Sequence, residues 1–201
     1  MIDVHAVTEL HQLTVRRWHE GEIDNPYDDF LHLVCEQHQR NYLLWHEEDS
    51  ARSPDASDAV IAGVKRRIDK LNQQRNDGIE RLDDFLVCKT EAWGIRPRPR
   101  AKLNTETPGS VIDRLSILAL RIYHMEEQVA RPDADAEHHR RCADKLAILH
   151  QQLEDLSKSL EELLADIGAG RKRLRVYRQF KMYNDPTTNP CLYRAVQKPA
   201  A

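Results

Sequence analysis

Apolar residues return at helical spacing along most of the chain. In residues 4–20 they fall at Val7, Leu10, Leu13, Val15 and Trp18, and Gly21 stands where a helix C-terminus would leave it. Asn25-Pro26 reads as an N-cap followed by proline at the first helical position, opening a pattern that runs to about Arg52, where Ser53-Pro54 stops it. Ser57 or Asp58 then opens a third helix, whose stripe is Ile61, Val64, Ile68, Leu71, Arg75, Gly78, Leu82 and Phe85. Two members of that stripe, Arg75 and Gly78, are not apolar. Thr107-Pro108 starts a fourth helix with the seam Val111, Leu115, Leu118, Ile122, Met125 and Val129, ending before Pro132. From about Ala134 to Ile167 a fifth helix keeps a heptad seam of Cys142, Leu146, Leu149, Leu153, Leu156, Leu160, Leu163 and Ile167, and Gly168 and Gly170 end it.

Two segments lie outside this periodicity. Residues 94–106 carry Pro97 and Pro99 among Arg96, Arg98, Arg100 and Lys102, with no acid until Glu106, and read as an extended linker. After Gly170 come Arg171, Lys172, Arg173, Arg175, Arg178 and Lys181, with Tyr177 and Phe180 interleaved. The expected fold is therefore all-α: an antiparallel helical bundle of about five helices with a basic C-terminal segment folded back on it. As a single domain over 1–201 it divides into helices one to three (1–93), the Pro/Arg linker (94–106), helices four and five (107–170) and the basic segment (171–201). The heptad seam suits packing inside the bundle, the preferred reading, and equally a homodimer through 135–167.

Composition narrows the picture. Seven glycines, nine prolines and 6% aromatics argue against a turn-dense sandwich or barrel. Thirty basic against 33 acidic residues leave a net charge of −3, so no global field draws the chain to nucleic acid or a membrane, and neither is an expected partner. No apolar run is long enough to span a bilayer and the first residues lack a secretory pattern, which points to the cytoplasm. Cys35, Cys88, Cys142 and Cys191 lack zinc-site spacing and read as reduced thiols; no metal and no cofactor is expected. Glycine-rich nucleotide loops, the nucleophile elbow and H-E-x-x-H are absent.

Candidate chemistry lies where the apolar stripes fail. On the second helix Leu31, Val34, His38, Asn41, Trp45, Glu48 and Arg52 share a face that turns polar halfway along. An unpartnered buried polar group costs about 1–3 kcal/mol, so these residues must satisfy one another or line a wet cavity. Helices two and three, joined near Pro54, should bring together residues whose numbers sum to about 109. That register sets Asn41 by Asp69, His38 by Asn72 and Val34 by Arg75, giving a cluster of His38, Asn41, Asp69, Asn72, Arg75 and Asn76. On the fourth helix Asp113, Ile117, Leu120 and His124 form one stripe, with Arg114, Leu118 and Arg121 beside it. Its opening, Glu106 to Ser110, presents backbone N–H groups beside Gly109 that could receive an anion, a plain N-cap being the simpler use.

The segments QHQRNYLLWHEEDSAR (37–52), IDKLNQQRND (68–77), ETPGSVIDRLSILALRIYHM (106–125) and VYRQFKMYNDPTTNP (176–190) resemble the uncharacterised bacterial family called domain of unknown function 4254. The resemblance spans roughly residues 25 to 190. It implies an all-helical cytoplasmic protein without an assigned reaction, and a link to surface-polysaccharide metabolism through the proximity of such genes to glycosyltransferase genes.

From the residues themselves, the first reading is a pocket between helices two, three and four for an anionic small molecule, such as a nucleotide, nucleotide sugar or sugar phosphate. Arg75 and Arg114 would take phosphate, Asn41, Asn72, Asn76 and Asp113 would fix hydroxyls or a base edge, and Trp45 or Tyr123 would stack. Were there chemistry, His38 or His124 would be the general base, oriented by Asp69 or Asp113. The alternatives are a structural or interaction bundle with a buried polar network and no ligand, and a metal-independent ribonuclease-like domain using Arg40 and His46. A carboxylate-bridged metal site on His46, Asp49, His124 and Glu127 has its Glu-x-x-His order reversed and ranks last.

Overall fold

The computed structural model describes residues 2–180, 182 and 185–192; Lys181, Tyr183, Asn184 and residues 193–201 of the basic segment lie outside the described residues. Among the described residues five long helices form: α1 (Val4–Glu20), α2 (Asp29–Ala51), α3 (Asp58–Ala92), α4 (Pro108–Ala130) and α5 (Ala136–Gly168). Capping explains most of the boundaries. The Asp3 carboxylate accepts from His5 and Ala6 N–H, Ser57 Oγ from Val60 N–H and Thr107 Oγ1 from Ser110 N–H, with Pro108 in the first turn. Asp135 caps α5 through His138 N–H, so this helix starts two residues later than its periodicity suggests.

The start of α2 also differs from the sequence reading. Asn25 does not cap it: its Oδ1 accepts from Tyr27 N–H, its amide donates to the His32 carbonyl, and residues 22–28 run outside any helix. The Asp24 carbonyl explains why, since it accepts from Trp18 Nε1 on α1 and from Gln39 Nε2 on α2. Tertiary hydrogen bonds to this segment outcompete a local cap, and α2 begins at Asp29 with φ +50°.

The bundle is two antiparallel hairpins, α2 with α3 and α4 with α5, with α1 laid against α2 and α4. One core draws on all five helices, with Val7, Leu10, Val34, Leu82, Leu115 and Leu160 fully enclosed, each contributing about 2 kcal/mol by burial. A second, small core of Leu44, Val64 and Ile68 closes the far end of the first hairpin. Leu13, expected on the α1 stripe, is exposed, and His11 and Thr14 take its place in the interior. The α5 seam packs along α4: Cys142, Leu160, Leu163 and Ile167 are buried and the leucines between are half-buried. Among the described residues no helix is long and apolar enough to cross a membrane. The four cysteines are free thiols, and burial pushes the Cys35 thiol up to about 12.

Residues 94–106 are more than a spacer. Arg98 N–H donates to the Gly170 carbonyl, Arg173 N–H to the Lys102 carbonyl, and Lys102 and Lys172 form a parallel bridge. Gly170 adopts φ +68°, and a Cβ there would lie 2.6 Å from the Arg96 carbonyl, so glycine is required where linker and tail meet. The basic segment continues along the bundle to Arg178, which pairs with Glu80 and Asp84 on α3.

Candidate functional site

The polar positions of α2 converge on α4 rather than on α3. Asp113 is the hub: its Oδ1 accepts from Gln37 Nε2 at 2.6 Å, Asn41 Nδ2 at 3.0 Å and Arg75 Nε at 2.7 Å, while its Oδ2 accepts from Arg75 Nη2. Asn41 also donates to Ser116 Oγ at 2.8 Å, and Ser116 shares a 2.6 Å hydrogen bond with His38 Nδ1. Gln37, His38, Asn41, Asp113 and Ser116 are all buried. Four hydrogen bonds balance the desolvation of one carboxylate, and the bond to Asp113 is the main reason the Arg75 guanidinium is held even more firmly protonated than usual.

Beyond this network lies the interior. The His38 ring sits 4.6 Å from His11 and 5.1 Å from Trp18. Both histidines are fully buried; His38 Nε2 and both ring nitrogens of His11 have no partner among the described residues. Burial drives the His38 pKa down to about 3 and that of His11 well below its ordinary value. His38 therefore stands as a neutral core imidazole, enclosed between α1 and α4.

On the other side the network opens into a groove of about 370 Å³, lined by Asn41, Trp45, Asp49, Arg52, Asn72 and Arg75 with Leu44, Glu48, Ile117 and Leu120. Trp45 is held in place by His124, stacked on it at 4.7 Å and 9°, whose Nδ1 bonds Glu127 at 2.7 Å. Behind them His19 stacks on Tyr123 at 4.1 Å and His46 packs edge-on against Tyr42 at 4.5 Å. The His46 pKa is lowered by burial and by its neighbours His19 and His124. Arg52 pairs with Glu48 at 2.8 Å on the exposed side.

The structure thus gathers Asn41, Trp45, Asn72, Arg75 and Asp113 at one place and leaves other candidates elsewhere. Asp69 is exposed and pairs with Lys65 at 2.6 Å. Arg114 pairs with Glu106 and faces a cleft between α4 and α5. Asn76 is half-buried outside the groove, and neither His38 nor His124 lines it. The equal-rise register is the cause of part of this: Glu47 meets Arg67, Gln37 lies against Gly78 and Glu36 meets Arg81, so α3 is offset by one to two turns. Arg75 consequently clears α2 and reaches α4.

Arg40 and His46 do not share a cleft. Arg40 lines a separate hollow with Glu36, Asp77 and Arg81, whereas His46 belongs to the aromatic cluster. Among the described residues no group of three or more His, Cys, Asp or Glu side chains is placed to hold a metal ion.

The helix start at Glu106–Ser110 does receive an anion, from the chain itself. The Asp83 carboxylate on α3 accepts from Gly109 N–H at 2.7 Å, and burial pushes its pKa up to about 6. A Cβ on Gly109 would lie 2.6 Å from the Ile79 carbonyl and 2.9 Å from Asp83, so the glycine permits the close approach of α4 to α3. Sequence reasoning missed both Asp83 and His11. His11 could have been found, because it falls at the 4-7-11-14-18 spacing of the α1 stripe. Asp83, beside Asp84, gives no such signal.

With this geometry in hand, comparison with known proteins places the chain in one family. A family model described as a protein of unknown function, DUF4254, matches residues 31–176, and the chain belongs to that family. No curated protein and no solved structure matches. The matched span contains every residue of the groove and its network.

Proposed function

We propose that the groove between α2, α3 and α4 binds a small anionic molecule rich in hydroxyls, of the sugar phosphate, nucleotide or nucleotide sugar class. The observation that carries this reading is the fixed orientation of Arg75. Two of its five N–H groups are committed to Asp113, itself held by Gln37 and Asn41, and the residue lines an open groove with N–H groups to spare. An arginine immobilised from behind loses little entropy on taking a phosphate. Arg52 adds a second cation, Asp49 and Glu48 accept from hydroxyls, and the Asn72 amide has no partner among the described residues. Trp45, fixed by His124, offers a rigid surface for a sugar or base. The mixture of two arginines with two carboxylates suits a ligand that combines phosphate with hydroxyl donors better than a bare anion. A link to surface-polysaccharide metabolism would follow if a nucleotide sugar were the ligand.

This reading concerns binding and assigns no reaction. It is tested by thermal shift or titration calorimetry with nucleotides, nucleotide sugars and sugar phosphates. If none binds, the groove is only the outer edge of a structural network.

A further inference from the structure

The near-zero net charge conceals a strongly uneven distribution. The linker cations Arg96, Arg98, Arg100 and Lys102 are exposed, as are Pro97 and Pro99 between them, and the chain turns at Pro99–Arg100, where Ala101 N–H donates to the Arg98 carbonyl and Ala101 is buried. The tail alternates as an extended strand does: Arg171, Arg173, Arg175 and Tyr177 are exposed, and Lys172, Leu174 and Val176 are half-buried. These two strips, some seventy residues apart in sequence, are joined side by side by the Lys102–Lys172 bridge and the backbone bonds from Arg98 to Gly170 and from Arg173 to Lys102. Arg173 further donates to the Pro99 carbonyl.

Few carboxylates answer this charge. Asp166 takes Arg171, and Glu80 and Asp84 take Arg178. Arg96, Arg98, Arg100, Lys102, Arg173 and Arg175 have no carboxylate partner among the described residues. Such a concentration of unpaired like charge destabilises the fold and is kept at no visible structural benefit. Exposed aromatic rings border it: Trp93 is 54% exposed three residues before Arg96, and Tyr177 and Phe180 are 50% and 86% exposed beyond Arg175. Tyr177 shares a shallow cleft with Leu103, Arg173 and Arg175.

From this juxtaposition we infer that the linker and tail together form a docking surface for single-stranded nucleic acid. Exposed guanidinium groups on two adjacent segments, a turning linker and an extended tail, can track a phosphate backbone, and exposed aromatic rings can stack unpaired bases. A lipid surface is met by rings gathered on the apolar face of an amphipathic helix, whereas Trp93, Tyr177 and Phe180 are spread singly among cations on non-helical backbone, and duplex recognition calls for a helix or ribbon that enters a groove. The surface is separate from the α2–α3–α4 groove, so its fate is independent of the ligand proposed there. The sequence hides it because each strip alone is an ordinary basic stretch.

The test is fluorescence anisotropy of the full chain with a labelled oligothymidylate of about 20 nucleotides, titrated at several salt concentrations, beside an abasic strand of equal length and vesicles of about one-third phosphatidylserine. Micromolar binding that weakens with salt is expected. Arg98→Gln with Arg100→Gln, and separately Arg173→Gln with Arg175→Gln, should each lower the log–log salt slope by about 1.4, at 0.7 per lost phosphate contact. Tyr177→Ala should weaken oligothymidylate at least about fivefold and leave the abasic strand unchanged. Unaltered far-UV circular dichroism shows that each variant is folded, and the two paired variants report independently. The inference is overturned by no binding at protein concentrations up to about 100 µM, by equal affinity for the abasic strand, or by vesicle binding without strand binding.

Discussion

Arg75 on α3 and Asp113 on α4 form a two-pronged ion pair that ties the hairpins together, with the carboxylate buried and the guanidinium at the edge of the groove. The pair joins stability to the candidate site, because the same bonds that satisfy Asp113 orient Arg75. Arg75→Ala leaves a buried carboxylate with two neutral donors and should cost about 3 kcal/mol, read as a lower urea midpoint with unchanged slope. Arg75→Lys should recover only part of this, since an ammonium cannot make two parallel bonds. A full recovery by lysine would show that the planar geometry is unimportant.

The Asp83–Gly109 contact sets how closely α3 and α4 approach. Gly109→Ala drives a Cβ against the Ile79 carbonyl and should cost more than about 2 kcal/mol. Asp83→Ala strands the Gly109 N–H and should cost about 1–3 kcal/mol, whereas Asp83→Asn keeps the acceptor and should cost less than either. Thermal melts of the three variants check this order.

Stability should fall in acid, and the slope can be assigned. His11 and His38 stay neutral in the fold, His38 to about pH 3, whereas in the unfolded chain each binds a proton below 6.5. The unfolded state then holds more protons, and His38 removes up to about 1.4 kcal/mol per pH unit as pH falls from 6.5 toward 3, His11 adding a loss of the same sign. Asp83 opposes them between pH 3.8 and about 6, where the folded chain keeps a proton the unfolded chain has released. His38 alone offsets Asp83 in that window, so the direction of the net effect, a loss of stability toward acid, is set by His11. His11→Leu should flatten it and, by removing two unpartnered ring nitrogens, raise stability at neutral pH by about 1–3 kcal/mol. Urea midpoints at pH 5 and pH 7 measure both effects.

How much of this could be read from the sequence differs by element. Ser57 and Thr107-Pro108 announce α3 and α4 because capping is local chemistry. His38, Asn41 and Arg75 announce the network because each breaks an apolar stripe that faces the neighbouring helices. Asn25 misleads, since tertiary bonds to Asp24 hold its segment outside the helix. The axial offset of α3, which brings Arg75 to the height of Asp113, depends on how whole helices slide. No residue pattern encodes it directly. The meeting of residues 96–102 with 170–173 is a long-range event of the same kind, marked in the sequence only by Gly170.

The groove is tested most directly by thermal shift on the wild type, Asn72→Ala and Arg52→Ala, with sugar phosphates, nucleotides and nucleotide sugars. These two variants keep the Arg75–Asp113 pair intact, so lost binding is separated from lost stability. A ligand at about one hundred times its Kd adds about 2.7 kcal/mol, or roughly 5 °C or more for a chain of this size. At least one of these compounds should stabilise the wild type, and both variants, melting close to the wild type without ligand, should lose most of that shift. No shift for any of them, or a shift that survives both substitutions, would contradict the proposed binding.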